Sequence, residues 1–206
     1  MKYAKKRQLT QSKIKSAYIN LLQNAPQENI TINMIAKKAE ISRSSFYRYY
    51  FDKYELINEI ENDVLKAIQS FKKYNKPQNE TFFDKDSNQQ IEKLLLFMSN
   101  YSREINGLLN QSLDLSFESK LREKLTHRLY ILTRLPESSI KMNLKKQQEF
   151  QLIVEYMVSM IIQTFKFWSN PDCQMNAHEL STLLNDIKNN GFSKIISLLN
   201  NQPLKL

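Results

Sequence analysis

Two glycines, Gly107 and Gly191, are all that this 206-residue chain contains. So little glycine leaves few positions free to take the left-handed backbone that tight hairpin turns demand. Five prolines add few further turn signals, and composition excludes an ordinary hairpin-rich β protein. What fills the sequence instead is Leu, Ile, Lys, Glu, Gln and Asn, with the apolar members at helical spacing. The fold class expected is therefore all-α. The length suffices for one substantial core or for two small domains sharing a long helix.

The most informative stretch runs from Thr31 to Lys53, TINMIAKKAEISRSSFYRYYFDK. Ile32, Ile35, Ala36 and Ala39 recur at i, i+3, i+4, i+7, the mark of one buried helical face. Thr31 stands ahead of them, where a side-chain oxygen caps the first free N–H groups, and Ser42 offers a second cap. From Arg43 the pattern is helical again, with Phe46 and Tyr50 four apart on one side. Two short helices joined by a tight turn make a helix-turn-helix, about 31–50, whose second helix enters the major groove.

A helical wheel from Arg43 to Tyr50 separates the tasks of these side chains. Phe46 and Tyr50, with Ile41 before the cap, face inward. Ser44, Ser45 and Arg48 project the opposite way, and Arg43, Tyr47 and Tyr49 lie on the flanks. An arginine can donate two hydrogen bonds to guanine, and serine hydroxyls meet bases or phosphates. Tyrosine hydroxyls and Lys53 suit phosphate oxygens, which set register without reading sequence. Lys37 and Lys38 are expected on a solvated face.

Charge follows the same division. The formal net charge is +9, and residues 1–55 hold eleven Lys or Arg against four Asp or Glu. The positive field thus belongs to the N-terminal quarter, as expected where a protein meets a polyanion. Met1 to Leu9 is expected to be a flexible basic arm. A first helix is expected up to about Ala25, with Ile14, Ala17, Tyr18, Leu21 and Leu22 inward. A fourth helix starts near Asp52 and carries Leu56, Ile57, Ile60, Val64, Leu65, Ile68 and Phe71, long enough to connect a head to a separate body. Residues 72–90 are expected as a loop with Phe82 and Phe83 against the body. Further helices follow at 91–101, 104–115, 117–135 and 146–168, with a basic, Ser-rich turn at 136–146. A last helix is expected at 177–189, and Ile195, Ile196, Leu198 and Leu199 complete the chain.

These residues carry a resemblance. Thr31, Ile35-Ala36, Ala39, Ile41-Ser42, Phe46-Tyr47, Tyr49-Tyr50, Lys53 and Leu56, in this order, resemble the DNA-binding domain of TetR-family transcriptional regulators. The resemblance extends over residues 8–68 and implies a three-helix DNA-binding head, with a linking fourth helix and an α-helical body at 74–200. The candidate DNA contacts are then Thr31, Asn33, Ser42, Arg43, Ser44, Ser45, Tyr47, Arg48, Tyr49 and Lys53. The family places glycine where Glu40 stands, so that turn is expected to be arranged differently. The spacing from Tyr156 to Trp168, followed by Glu179-Leu180 and Gly191-Phe192, resembles the C-terminal domain of some Gram-positive members. The resemblance implies a homodimer through the two C-terminal helices, on a palindromic operator, with repression released by a small-molecule effector.

Other chemistry has little to stand on. His127 and His178 lie in separate helices without metal-ligand spacing, and Cys173 has no second thiol. Neither catalysis, a metal nor a cofactor is expected. Glu59, Glu61 and Asp63 read as a solvated face. Phe97, Met98, Tyr101, Tyr156, Met157 and Trp168 fit either core packing or a ligand pocket. No apolar run follows the basic start, and Glu155, Gln163 and Lys166 interrupt the most apolar stretch, so a cytoplasmic location is expected. The rival readings are a DNA-binding regulator controlled by a protein partner, an activator, and a helical scaffold for acidic proteins.

Overall fold

A computed structural model of the chain describes residues 2–74, 88–111, 116–132 and 144–200. Among the described residues all regular structure is helical: α1 (Lys2–Leu22), α2 (Ile32–Lys38), α3 (Arg43–Tyr47), α4 (Lys53–Tyr74), α5 (Asn88–Ser99), α6 (Ser102–Asn110), α7 (Ser116–Leu132), α8 (Leu144–Trp168) and α9 (Ala177–Asn200), with a 3-10 turn at Gln27–Asn29. The expected all-α class holds. Most of the loop with Phe82 and Phe83, and of the turn at 136–146, lies outside the described residues.

The first correction is at the N-terminus, where helix replaces the expected flexible arm from Lys2 onward. Ala, Lys, Arg, Gln and Leu are all good helix formers, and nothing in Lys2–Leu9 breaks a helix. Further on, Ile14, Tyr18 and Leu22 are fully buried, and Ala17 and Ile19 nearly so. They pack with Ile35, Phe46, Tyr50 and Leu56 to form the head's part of a core that continues into the body.

The turn between α2 and α3 is the second correction. Glu40 takes φ of 57°, the left-handed conformation that the expected glycine would have supplied. The turn keeps its shape because both neighbouring helices are capped. Thr31 Oγ1 accepts from the Met34 N–H and Ser42 Oγ from the Ser45 N–H, and the Ile41 N–H donates to Ala36 O at 3.0 Å. Glu40 bears the backbone cost itself.

The helix α4 spans 22 residues, about 33 Å at the usual rise per residue. Asp52 Oδ1 accepts from the Glu55 N–H and Glu55 Oε2 from the Phe51 N–H, a reciprocal cap at its start. Leu56, Ile57, Ile60, Val64, Leu65 and Ile68 are buried as the periodicity required.

Glu61 on this helix is the third correction, since it is buried, whereas Glu59 and Asp63 stay partly solvated while paired. Lys15 of α1 reaches Glu59 at 2.6 Å and Asp63 at 2.5 Å. Burial of the Lys15 ammonium works against its charge, but the hydrogen bonds to the two carboxylates outweigh this and raise its pKa. Glu61, two residues from either, points at the body; its side chain is 4% exposed and meets Lys120 of α7 at 2.6 Å. Ser116 Oγ donates to its other oxygen at 2.8 Å.

In the body, α5 packs on α9, α7 on α8, and α6 on α1, α4, α7 and α8. Gly107 lets α6 approach α1: a Cβ there would lie 2.7 Å from Leu22 Cδ2. Beside it Asn106 donates to Gln23, Gln23 to Arg103 O, and Arg103 to Asn20. The span of α9 is broken at Gly191, close to the expected end at 189; its φ of 70° and ψ of 171° are non-helical and open to glycine.

Two stability predictions follow from this architecture. Lys120→Met leaves the Glu61 carboxylate buried without its cation and should lower the unfolding free energy by about 2 kcal/mol. Adding Glu61→Gln to Lys120→Met should recover part of that loss in urea denaturation; a further loss would contradict the pairing. Glu40→Gly should raise stability by up to about 1 kcal/mol, and Glu40→Val should lower it by more. Equal midpoints for the three chains would mean that position 40 is not left-handed in solution.

Candidate nucleic-acid interface

The helix α3 is one and a half turns long, and its orientation comes from what lies beneath it. Phe46 and Tyr50 are buried with ring centroids 5.7 Å apart. Regular helix ends at Tyr47 rather than at the expected Tyr50, yet the Tyr50 N–H still donates to Phe46 O at 3.1 Å. The two rings therefore remain on one side. The Tyr50 hydroxyl lies beside Glu59 and Gln11; burial pushes its pKa well above the usual phenol value, and the Glu59 carboxylate adds to the shift. This tyrosine stays neutral at any physiological pH.

Opposite these rings the structure collects most of the expected contact residues. Asn33, Ser42, Arg43, Ser44, Tyr47 and Arg48 are exposed, while Ser45 and Tyr49 are half-buried. The hydroxyl of Ser42, besides capping α3, lies 2.9 Å from both Ser44 Oγ and Ser45 Oγ. Arg43 donates to the Tyr47 hydroxyl at 3.2 Å, and its guanidinium stands 5.6 Å from that ring's centroid. Such a pair is pre-organised, because a planar guanidinium on an aromatic face has fewer orientations to lose on binding. Among the described residues the Arg48 guanidinium has no partner at all. Thr31, exposed at the start of α2, is engaged in its cap.

Lys53 is placed differently from the rest. Its ammonium donates to Gln27 O at 2.9 Å and Ile30 O at 3.0 Å, tying the start of α4 to the segment that leads into α2. One of its three donors is left for a phosphate.

Sequence reasoning did not single out Phe51 and Tyr54, which are 82% and 65% exposed at the same end of the head. No periodic signal marked Phe51, because it stands in the turn between α3 and α4. Lys37 and Lys38 are exposed as expected.

Comparison with known proteins follows this division into head and body. Residues 17–60 match the family described as bacterial regulatory proteins, tetR family, and residues 85–190 the transcriptional regulator C-terminal region. An uncharacterized HTH-type transcriptional regulator, YxbF of Bacillus subtilis (strain 168), is 34% identical over 58 residues. That match covers 28% of this chain and 15% of YxbF. Among solved structures, a TetR transcriptional regulator from Streptococcus agalactiae 2603V superposes with a TM-score of 0.60 at 22% identity, covering 91% of this chain and 98% of its own. A TetR-like regulator from Rhodococcus sp. RHA1 gives 0.63 at 16% identity, covering 94% and 97%. At such identities the likeness concerns the fold. The two matched regions together with the architecture identify the chain as a member of the TetR family of DNA-binding transcriptional regulators.

Proposed function

We propose that the chain is a homodimeric repressor that binds a palindromic operator through α3 and is released by a small apolar effector. In this reading residues 8–68 are the DNA-binding unit and 74–200 the dimerisation and regulatory unit. The base-facing residues are Ser44, Ser45 and Arg48, with Asn33, Arg43 and Tyr47 at the edges of the groove. Thr31, Ser42, Tyr49 and Lys53 meet the phosphates.

The observation that carries the dimer is an apolar face that none of the described residues covers. Leu152, Tyr156 and Phe167 of α8 are 71%, 60% and 58% exposed, and they stand on one side of the helix. Tyr156 and Phe167 share a shallow groove with Leu183, Leu184 and Ile187 of α9. Apolar surface of this extent marks an interaction site, and pairing of α8 and α9 about a two-fold axis would bury it in a four-helix interface. Two α3 helices would then occupy half-sites about one helical turn apart.

The effector rests on a cleft of about 400 Å3 between α5, α8 and α9, lined by Ile91, Leu95, Met157, Ile161, Phe165 and Leu184. Its size and lining suit a small apolar molecule. Such a ligand weakens DNA binding only as far as it prefers the body conformation with the wrong head spacing.

Selection of bound fragments from random DNA by the full chain tests this function. A palindrome should be recovered; enrichment of no sequence would remove the operator. On the recovered site Arg48→Ala should cost about 1–3 kcal/mol, with little change on scrambled DNA. Equal losses on both would end its role as a base reader. Lys53→Ala should weaken all DNA alike and, unlike Arg48→Ala, also lower the thermal midpoint, because two carbonyls lose their donor. In sedimentation, Tyr156→Glu with Phe167→Glu should give a folded monomer, and a retained dimer would place the interface elsewhere.

A further inference from the structure

We infer that the first two turns of α1 form a DNA-phosphate contact surface of their own, outside the helix-turn-helix. The inference rests on the DNA-binding reading of α3 and adds to it a second, sequence-independent point of attachment.

The charge of α1 is one-sided: its 21 residues include Lys2, Lys5, Lys6, Arg7, Lys13 and Lys15, and no Asp or Glu. Among the described side chains of α1, Lys15 is the one engaged with carboxylates, those of Glu59 and Asp63. Every residue from Ala4 to Leu9 is exposed, so none of Lys5, Lys6 and Arg7 serves the core. At about 100° per residue, Lys5, Lys6 and Lys13 share the side of α1 turned away from Ile14 and Tyr18.

Contacts along α1 give its direction. Asn20 and Gln23, near its C-terminal end, are bound to Arg103 of the body. Lys15 lies beside Glu59 and Asp63, midway along the head. Gln11 lies beside the hydroxyl of Tyr50, in the corner between α3 and α4. The helix thus runs from that corner back to the body. Its first residues project past the corner, away from the body; Lys5 stands about 9 Å of helix beyond Gln11. This is the end of the head at which Arg48, Phe51 and Tyr54 are exposed.

A helix start is a poor place for four cations. The unpaired N–H groups carry partial positive charge there, which favours acidic side chains and opposes Lys and Arg. No acidic residue stands in this first turn. A polyanion laid across the basic turns removes that repulsion, and DNA is the polyanion that α3 brings to this end. The family match begins at residue 17, so these turns lie outside what the resemblance assigns.

The test compares the full chain with the triple variant Lys5→Gln, Lys6→Gln, Arg7→Gln, on the selected operator and on bulk DNA over a range of salt. Each lost phosphate contact should reduce the log–log salt slope by about 0.9, so loss of the Lys5 and Lys6 contacts should reduce it by about 2. Affinity near 0.15 M salt should fall about 100-fold on both DNAs, leaving their ratio unchanged. The thermal midpoint should stay or rise, which a merely structural role for these residues would not produce. The charge-keeping variant Lys5→Arg, Lys6→Arg, Arg7→Lys should retain the wild-type slope. An unchanged slope in the triple variant overturns the inference while leaving α3 as the operator reader. Loss on the operator alone, or in the charge-keeping variant, overturns it too. If the unaltered chain prefers no DNA sequence, the operator reading fails instead, and the slope on bulk DNA still decides the matter of α1.

Discussion

The carboxylates of α4 tie this helix to its neighbours on both sides. Glu59 and Asp63, four residues apart, share one side of the helix and are gripped by Lys15 of α1. Glu61 points across to α7, where Lys120 and Ser116 surround it. One helix is thus bonded on one side to the head and on the other to the body, through charged groups whose geometry is narrow. Apolar packing alone tolerates sliding, since dispersion has little directional preference. Charge-assisted hydrogen bonds at 2.5 to 2.6 Å tolerate much less. A displacement of the body is therefore expected to reach the head as a rotation of α4 rather than be absorbed at a hinge.

A second tie runs through α6. With Gly107 against Leu22 the two backbones come close, and the amides of Asn106 and Gln23 bond across the gap. The other end of α6 is joined to α8 by Asn110, which donates to Lys166 O at 2.9 Å. Head, α6 and the end of α8 thus form a continuous path that does not pass through α4.

Much of this could be read from residue order, and the reasons differ by element. The stripes of α1, α2 and α4 were legible because burial repeats with the helix, and Ile14, Tyr18, Leu56 and Val64 are buried where the period puts them. The caps at Thr31, Ser42 and Asp52 were legible because capping is local. The partners of Glu61 and Asp63 were not, because Lys120 and Lys15 stand far off in sequence and periodicity carries no information about distant pairs. Glu40 misled because the turn's shape is imposed by both neighbouring helices, which override one residue's preference. The basic arm was misassigned because charge density was read as disorder, while helix propensity pointed the other way. At the interface, the outward face of α3 was predictable from the wheel, but the pairing of Arg43 with Tyr47 depends on side-chain rotamers that residue order does not specify.

Lys53 illustrates how one position can answer to two constraints. Its ammonium closes the segment from Gln27 to Ile30 by holding two carbonyls of different residues, and keeps a third donor beyond those two. Arginine would keep the charge and could still salt a phosphate. Its planar fork, though, spreads donors in one plane, whereas the two carbonyls and the solvent side lie around a point. Exchange of lysine for arginine, usually the mildest of substitutions, is here a change of joint.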